Sequence, residues 1–311
     1  KLEEMELRKE NDALLAEKDQ IEKLLKSESR QWTQIKKQIQ ELHTDFAPDS
    51  FLGKRRTELG TISEEHDLAS LEEAMVEKEP ITVICSAKGW IRAVKGHNIN
   101  TSDLKYKEGD REGFILEAQT TDKILVLATN GRFYTLDGSK LPPGRGFGEP
   151  VRLMIDLPND ADIVTMFAHK AEEKLLIAST AGHGFLLPAK DLTTNRKAGL
   201  QILNVSGKAE ARLCVPVLDN DDHVAVIGEN RKMLVFELSE LPEMTKGKGV
   251  ILQKYKDGGL SDVKTFNMEE GFTYIKGNGT HKVDDIRPWL GKRATAGRLP
   301  PNGFPRSNKF S

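Results

Sequence analysis

A short pattern of apolar runs and polar turns recurs along most of this chain. In each copy, an apolar run of four or five residues is followed by a polar turn and by a second apolar run. The five copies begin at Ile81, Ile124, Leu175, Val224 and Phe272. Alternating with them are four basic segments that close on Gly148, Gly199, Gly249 and Gly297, which lie 51, 50 and 48 residues apart. A repeat of about fifty residues without helical periodicity predicts a radial or solenoid array of β-sheets.

The second copy shows what one unit of this array contains. We predict a strand over Ile124–Ala128, a tight turn at Asn130-Gly131 and a return strand over Arg132–Leu136, because Asn-Gly suits the positive φ angles of a hairpin turn. After the basic segments, the apolar residues Val151–Ile155 and Leu200–Leu203 predict further strands. The repeated glycines are expected to permit turns or close approach between neighbouring blades. The sequence therefore predicts a mostly β domain of five blades over residues 80–311.

Residues 1–47 follow a different, helical periodicity. Apolar residues spaced by seven and four predict a helix with one apolar face, as in a coiled coil. The polar stretch Lys26–Arg30 interrupts this face, and Ser27 or Ser29 could cap a second helix. One rod and two antiparallel helices therefore remain alternatives, as do a pairing helix and a solvated spacer. The two rows are Leu7, Leu14, Ile21, Glu28, Ile35 and Leu42, and Leu25, Trp32, Ile39 and Phe46.

A junction over residues 48–79 separates these two regions. Pro48 ends the helix, the basic run Lys54-Arg55-Arg56-Thr57-Glu58-Leu59 follows, and the acidic stretch from Ser63 to Glu79 predicts a linker with one short helix. Residues 1–80 carry 13 Lys and Arg against 20 Asp and Glu, a net charge of −7, whereas the remainder carries 33 against 28, a net charge of +5. An acidic leader on a mildly basic repeat is a weak indicator of nucleic-acid binding.

Several classes of protein are disfavoured by what the sequence lacks. It has no Gly-x-x-x-x-Gly-Lys-Ser/Thr phosphate loop, no Gly-x-Ser-x-Gly elbow and no His-Glu-x-x-His pair. Cys85 and Cys214 have no partners at metal-binding spacing and are expected to be buried free thiols. No apolar run approaches the roughly 20 residues of a membrane helix. The first residue is Lys1 and not Met, from which we expect a piece of a longer protein.

Positive charge recurs beside the turns and in the basic segments. If the blades repeat around an axis, equivalent residues lie on one rim, and a basic group from each blade would form a curved positive band. Such a band suits the phosphates of DNA, and nearby glycines let backbone N–H groups approach them. A merely solvated polar surface is the alternative. We predict phosphate contacts at Lys88, Arg92, Arg132, Arg145, Arg196, Lys197, Arg231, Lys232, Lys246, Lys248 and Arg293.

The order of these features resembles the A subunit of bacterial type IIA topoisomerases over essentially all 311 residues. In that family, the helices that leave the dimerisation gate end in an Arg-Arg-Thr-Glu run similar to residues 55–58, and a C-terminal β-pinwheel follows. Gyrase A subunits carry a box, Gln-Arg-Arg-Gly-Gly-Lys-Gly, that no position here matches. The nearest run, at 144–150, keeps one arginine and ends in Glu149-Pro150. Together with the five-blade count, this favours the topoisomerase IV branch of the family.

The resemblance implies both a fold and a function. The fold would be a coiled-coil segment followed by a five-bladed β-pinwheel, a propeller-like ring in which neighbouring blades exchange strands. The basic rim would hold and bend the transported double-stranded DNA and so direct ATP-dependent decatenation and supercoil relaxation by the parent enzyme. The nucleophilic tyrosine and the Mg²⁺ and ATP sites would lie outside this chain, so no catalytic residue, cofactor or metal is expected in it.

The implied partners, besides DNA, are the B subunit of topoisomerase IV together with a second A subunit, and a regulatory protein is a further candidate. The implied location is the nucleoid of the bacterial cytoplasm. Two other functions remain open. A gyrase A domain with a degenerate box would wrap DNA, whereas a docking propeller for a chromosome-segregation regulator would bind protein with little dependence on salt.

Overall fold

The structure is a computed structural model that describes residues 2–54, 76–277 and 279–310. The chain divides into two compact units, Lys1–Asp67 and Leu68–Ser311. Most of the basic run, Arg55–Leu59, and most of the acidic linker lie outside the described residues. The predicted boundaries at residues 47 and 79 therefore stay predictions.

The described part of the first unit consists of two helices and not of one continuous helix. Helix α1 spans Leu2–Leu25 and helix α2 spans Glu28–Asp45. Ser27 occupies the N-cap position of α2, and its carbonyl accepts a hydrogen bond from the Gln31 backbone N–H at 3.1 Å, but its side chain makes no capping bond. The Gln31 amide instead donates to the carbonyls of Leu24 and Leu25 at the end of α1, at 3.2 and 3.1 Å. It thereby satisfies acceptors that a helix end leaves unpaired.

The apolar rows of these helices remain exposed. Leu25 and Trp32 expose 69% and 62% of their surface, and Leu7 exposes 66%. Surface ion pairs such as Glu4 with Arg8, at 3.0 Å, contribute little to stability. Within the described residues, α1 and α2 therefore do not bury their apolar rows against each other. Neither has the length and apolar content needed to cross a membrane.

The described part of the second unit consists of short strands joined by turns and single turns of 3-10 helix. Its strands are β1 (Pro80–Ser86), β2 (Trp90–Lys95), β3 (Glu112–Gln119), β4 (Lys123–Ala128), β5 (Arg132–Asp137), β6 (Glu149–Pro150), β7 (Ile163–Ala168), β8 (Lys174–Ser179), β9 (His183–Pro188), β10 (Leu200–Gln201), β11 (Ala211–Val217), β12 (His223–Gly228), β13 (Met233–Glu237), β14 (Val250–Ile251), β15 (Leu260–Phe266), β16 (Phe272–Lys276) and β17 (Gly279–Val283).

These strands form five antiparallel sheets, which confirm the five predicted blades. The strand orders are β3-β1-β2-β6, β7-β4-β5-β10, β11-β8-β9-β14, β15-β12-β13 and β16-β17. The chain does not complete one blade before it starts the next. After the hairpin of the second blade, for example, β6 returns to pair with β2 of the first blade. The same exchange brings β10 back to β5 and β14 back to β9, which is the strand exchange of a β-pinwheel.

The apolar residues of the central strands of the second, third and fourth blades, β4, β8 and β12, are each shared between two cores. On β4, Ile124 and Val126 pack toward the first blade, whereas Leu125 and Leu127 pack toward the third. All four are completely buried. Because successive side chains of a strand point to opposite faces, a strand between two cores must be apolar at every position. This explains why the repeated runs are continuous and do not alternate with polar residues.

The predicted hairpin of the second blade is confirmed, but one predicted strand is wrong. Residues Val151–Leu153 form a turn of 3-10 helix, and Ile155 N donates back to Val151 O at 3.1 Å. The strand that pairs with β2 is only Glu149–Pro150. Val151 and Ile155 are buried in the core between the first two blades, which accounts for their apolar character. Likewise, only Leu200–Gln201 of the predicted strand over residues 200–203 pairs with β5.

Candidate nucleic-acid interface

Four equivalent loops carry most of the predicted phosphate contacts. Each immediately precedes the residues that return to the outer edge of the preceding blade. The first three lead into β6, β10 and β14, and the fourth leads into Arg298, which forms a bridge with Met233 of β13. We call them the first to fourth closing loops, and they comprise residues 144–148, 195–199, 245–249 and 293–297.

A glycine ends every closing loop because no side chain fits there. Gly148 has a φ of +81°, and a Cβ at this position would lie 2.1 Å from the Ile91 carbonyl oxygen. At Gly297, with a φ of +75°, the distance to the Met233 carbonyl oxygen would be 2.3 Å. Only glycine combines this backbone conformation with so close an approach. The predicted role of the glycines in close approach between blades is confirmed.

Backbone hydrogen bonds anchor the second, third and fourth closing loops. The carbonyl of the third loop residue accepts an N–H from the segment that follows the preceding returning strand. In the second loop Asp156 N donates to Lys197 O at 2.9 Å, in the third Asn204 N donates to Gly247 O at 2.8 Å, and in the fourth Lys254 N donates to Thr295 O at 3.0 Å. Each of these loops is therefore fixed by the blade exchange that precedes it.

Three predicted site residues direct their guanidinium groups to backbone carbonyls. Arg132 donates to Ala198 O of the second closing loop at 2.7 Å. Arg293, in the fourth loop, donates to Ile251 O at 2.7 Å and to Glu240 O at 3.2 Å. Arg231 donates to Pro305 O at 3.1 Å and to the Asn308 side-chain oxygen at 3.2 Å. All three are half-buried and keep their positive charge, because a carbonyl neutralises none of it.

Arg92 differs from the other predicted site residues because it is buried. It exposes only 5% of its surface. Its guanidinium donates to the Gly146 carbonyl of the first closing loop and, at 3.0 Å, to the Lys105 carbonyl. One signal of this burial is visible in the sequence, since Arg92 lies in the apolar run Trp90-Ile91-Arg92-Ala93-Val94. Its acceptor on the first closing loop is 54 residues away in the chain and has no pattern of its own.

Six predicted site residues project into solvent. Of these, all but Lys88 lie in the first three closing loops, and no described carboxylate forms a salt bridge with any of the six. They are Lys88, Arg145, Arg196, Lys197, Lys246 and Lys248. Lys232 is half-buried beside the hairpin turn of the fourth blade. Because the closing loops occupy the same place in successive blades, their cations form a repeated set of uncompensated positive charges on one edge of the blades.

His183 lies beside one of these cations. Burial, and then the positive charge of Lys248, lower the pKa of the His183 imidazole below its usual value. Its Nδ1 is buried and has no hydrogen-bond partner among the described residues. The imidazole is therefore neutral near pH 7 and adds no charge to the third closing loop.

Nothing in the described residues points to a resident metal ion. No group of three or more His, Cys, Asp or Glu residues among them has a geometry that could hold a metal. Asp221 and Asp222, from the acidic turn before β12, accept backbone N–H bonds from Leu218 and Met268 at 2.9 and 2.8 Å. These carboxylates fix turns, as expected for a solvated turn between strands.

Comparisons with known proteins agree with this architecture. A family model described as the DNA gyrase C-terminal domain, beta-propeller, matches residues 122–170 and 222–260. The A subunit of DNA topoisomerase 4 from Rickettsia felis is 43% identical over 312 residues, and that from Caulobacter vibrioides is 43% identical over 321 residues. Both alignments cover 100% of this chain and 42% of the relative. The chain thus spans about 42% of the length of these curated relatives.

Solved structures show the same fold. The E. coli ParC C-terminal domain superposes with a TM-score of 0.65 at 29% identity, covering 73% of this chain and 96% of that domain. The DNA gyrase A C-terminal domain superposes with a TM-score of 0.53 at 18% identity, covering 70% of this chain and 76% of that one. At that identity, the second likeness shows the fold alone.

Proposed function

The chain belongs to the family of topoisomerase IV A subunits, whose C-terminal region it matches, and we propose that its β-pinwheel binds double-stranded DNA through the closing loops. One observation carries this proposal. The first three closing loops occupy equivalent places and present five exposed cations without a described carboxylate partner. Phosphates along a duplex are the regular array of negative charge that such a surface complements.

Ten of the eleven predicted contacts divide into two kinds in this proposal, and the eleventh, Arg92, is buried. Lys88, Arg145, Arg196, Lys197, Lys246 and Lys248 are exposed and reach phosphate oxygens directly. Arg132, Arg231, Lys232 and Arg293 are half-buried, and the three arginines already donate to carbonyls, so this group mainly adds positive potential close to the loops. Potential from fixed charges still attracts a polyanion, although salt screens it beyond about 10 Å at 0.1 M ionic strength.

The role in a parent enzyme is also a proposal, because the chain spans about 42% of its relatives. We propose that the domain holds and bends the transported duplex and so directs ATP-dependent decatenation and supercoil relaxation. Strand cleavage, ATP hydrolysis and Mg²⁺ binding would belong to other parts of an assembly that contains a second A subunit together with B subunits.

Two other functions remain alternatives, and each has its own outcome. A docking propeller for a regulatory protein would bind that protein with little dependence on salt and would bind DNA weakly. A gyrase-like domain would wrap DNA and change its topology after nicking and ligation. No feature of the described residues favours either over direct DNA binding.

The test is the affinity of the full 311-residue chain for a short fluorescent duplex, titrated across salt concentration. A slope of several units in a plot of log affinity against log salt is expected, at about 0.9 per phosphate contact. The same titration with an acidic polypeptide of equal charge serves as a control. It shows how much of the affinity depends on negative charge alone and how much depends on the arrangement of phosphates in a duplex. Binding that is absent, or that does not change with salt, would contradict the proposal.

A further inference from the structure

The first closing loop lacks the support that the other three share. In those loops, the third residue's carbonyl accepts a backbone N–H from the segment after the preceding returning strand. The first loop pairs with the first blade, and among the described residues no earlier blade returns a strand that could provide this N–H. Its equivalent carbonyl is that of Gly146.

Arg92 supplies the missing donor. Its guanidinium bonds the Gly146 carbonyl, at the same loop position as the Lys197, Gly247 and Thr295 carbonyls of the other loops. A second guanidinium nitrogen bonds the Lys105 carbonyl at 3.0 Å. Arg92 therefore joins the first closing loop to the segment after the first hairpin, and it does so from a position that is 5% exposed.

We infer that Arg92 is a positioning residue of the DNA-binding surface, and this inference rests on the proposed function. It replaces the absent blade contact and holds the first closing loop so that Arg145 faces the phosphates. Arg145 is exposed and sits next to the anchored Gly146. The loop contains two glycines with positive φ, at residues 146 and 148, between Pro143, which bridges to Ala93, and Glu149, which pairs with Ile91. Because Arg145 is held in place before DNA binds, the loop loses less conformational entropy on binding.

The chemistry of this anchor requires arginine. The planar guanidinium carries five N–H donors in a fixed fork, so it can serve two carbonyls in different directions at once. A lysine keeps the charge, but its ammonium is a compact group on a flexible stem. The substitution Arg92→Lys therefore separates positive charge from anchoring geometry.

The first experiment is a double-mutant cycle on the full chain. Arg92→Lys is expected to weaken duplex binding about two- to fivefold, the range for losing one exposed ion pair, and to lower the salt slope by about 0.9 although the net charge is unchanged. Arg145→Ala is expected to do the same. The double variant should bind no more weakly than Arg145→Ala alone, because Arg92 acts through Arg145.

A matched control is available in Arg152→Lys. Arg152 also donates to two carbonyls, those of Pro158 and Ala161, at 3.1 and 3.0 Å, but the segment that it holds carries no cation. This variant should leave affinity and salt slope unchanged. Additive effects of Arg92→Lys and Arg145→Ala would overturn the inference, as would full affinity in Arg92→Lys.

A second measurement uses the unsubstituted protein and so does not depend on whether a variant folds. Phenylglyoxal modifies accessible arginines and is read by mass spectrometry with and without duplex. Arg145 should react in the free protein and be protected by DNA, whereas Arg92 should stay unreactive in both states. Reaction of Arg92 that DNA suppresses would make it a direct contact and overturn the inference. If wild-type protein fails to bind duplex at all, the proposed function falls and this inference falls with it, whereas additivity in a protein that binds removes only the inference.

Discussion

The central hairpins and the closing loops share one fifty-residue repeat but use it in opposite ways. In the hairpins, what recurs is burial. Leu125 and Leu127 of the second blade and Leu175 and Ile177 of the third lie in one common core. In the closing loops, what recurs is a terminal glycine with positive φ, and the first three loops also carry exposed positive charge. The hairpins therefore hold the blades together, whereas the loops offer a charged surface that contributes little to that core.

This division has a physical consequence for substitutions. A change in a hairpin should alter the free energy of unfolding and leave DNA affinity alone, and a change in an exposed loop cation should do the reverse. The closing glycines are the exception, because each one brings the loop backbone against the neighbouring strand. Substitutions there should alter both properties.

The largest expected effect on stability comes from a hairpin. Leu125 is completely buried, and Leu125→Ala should lower the free energy of unfolding by about 2–5 kcal/mol, through lost burial and the cavity left behind. Urea denaturation of the full chain measures this. As a control, Leu153→Ala at a residue that is 66% exposed should change it by no more than about 0.5 kcal/mol. Loss of DNA affinity by folded Leu125→Ala protein would contradict the division.

Next comes a closing glycine, tested against a glycine in open space. Gly249 has a φ of +77°, and an added Cβ would lie 2.5 Å from the Gly184 carbonyl oxygen. Gly207 has a φ of +63° but no atom within 4 Å of its added Cβ. Gly207→Ala should cost about 1 kcal/mol of unfolding free energy, whereas Gly249→Ala should cost about 3 kcal/mol and also weaken duplex binding. Equal costs would show that close approach does not matter here.

Charge reversal in the second closing loop should affect binding without affecting stability. Arg196→Glu with Lys197→Glu should weaken duplex binding about tenfold and lower the salt slope by about 1.8, for two lost phosphate contacts. The circular dichroism spectrum and the melting temperature should stay the same, since both side chains are exposed. Lys190→Glu with Lys208→Glu makes the same change in net charge at exposed residues that are not part of the closing loops. An equal loss of affinity in this control would mean that only net charge matters.

The smallest expected effect is a pH dependence at His183. Its pKa is lowered in the folded protein by burial and then by Lys248, so the unfolded chain binds the proton more readily. Stability from this residue is therefore present above the unfolded pKa near 6.5 and is lost as pH falls through the lower folded value. His183→Gln should flatten the fall in melting temperature between about pH 7.5 and about pH 5.5. An unchanged slope would assign that fall to other groups.

Much of the fold could be predicted from the sequence because each central hairpin carries its own local signal. The turn at Asn130-Gly131 and the start of the sheets at Pro80 both follow from turn chemistry and apolar runs. The returning strands could be predicted only in part. The strand predicted over residues 200–203 includes β10, but β6 and β14, which like β10 contain only two residues, were not predicted. What fixes them is pairing with a strand of another blade, and a pattern within two residues cannot show that. The wrong strand over 151–155 arose because residues buried beneath a turn are as apolar as residues in a strand.

The candidate site could be predicted only in part for a related reason. The sequence shows where cations recur. The exposed cations Arg145, Arg196, Lys197, Lys246 and Lys248 lie in the basic segments that the repeat marks out. It does not show which guanidinium groups already donate to the protein's own carbonyls. Arg132 and Arg92 carry the same charge in the sequence as Arg145, but their acceptors in the closing loops are 66 and 54 residues away. Long-range contacts of this kind follow from the blade exchange, and local spacing does not encode them.

The most direct test of the closing loops as a DNA-binding surface is lysine footprinting of the full chain with and without duplex. Acetylation at each lysine is read by mass spectrometry at low salt. Protection is expected at Lys197, Lys246 and Lys248 in the closing loops, with no change at Lys190 and Lys208. Protection confined to Lys190, Lys208 or other lysines outside the closing loops, in a protein that binds duplex, would contradict the account.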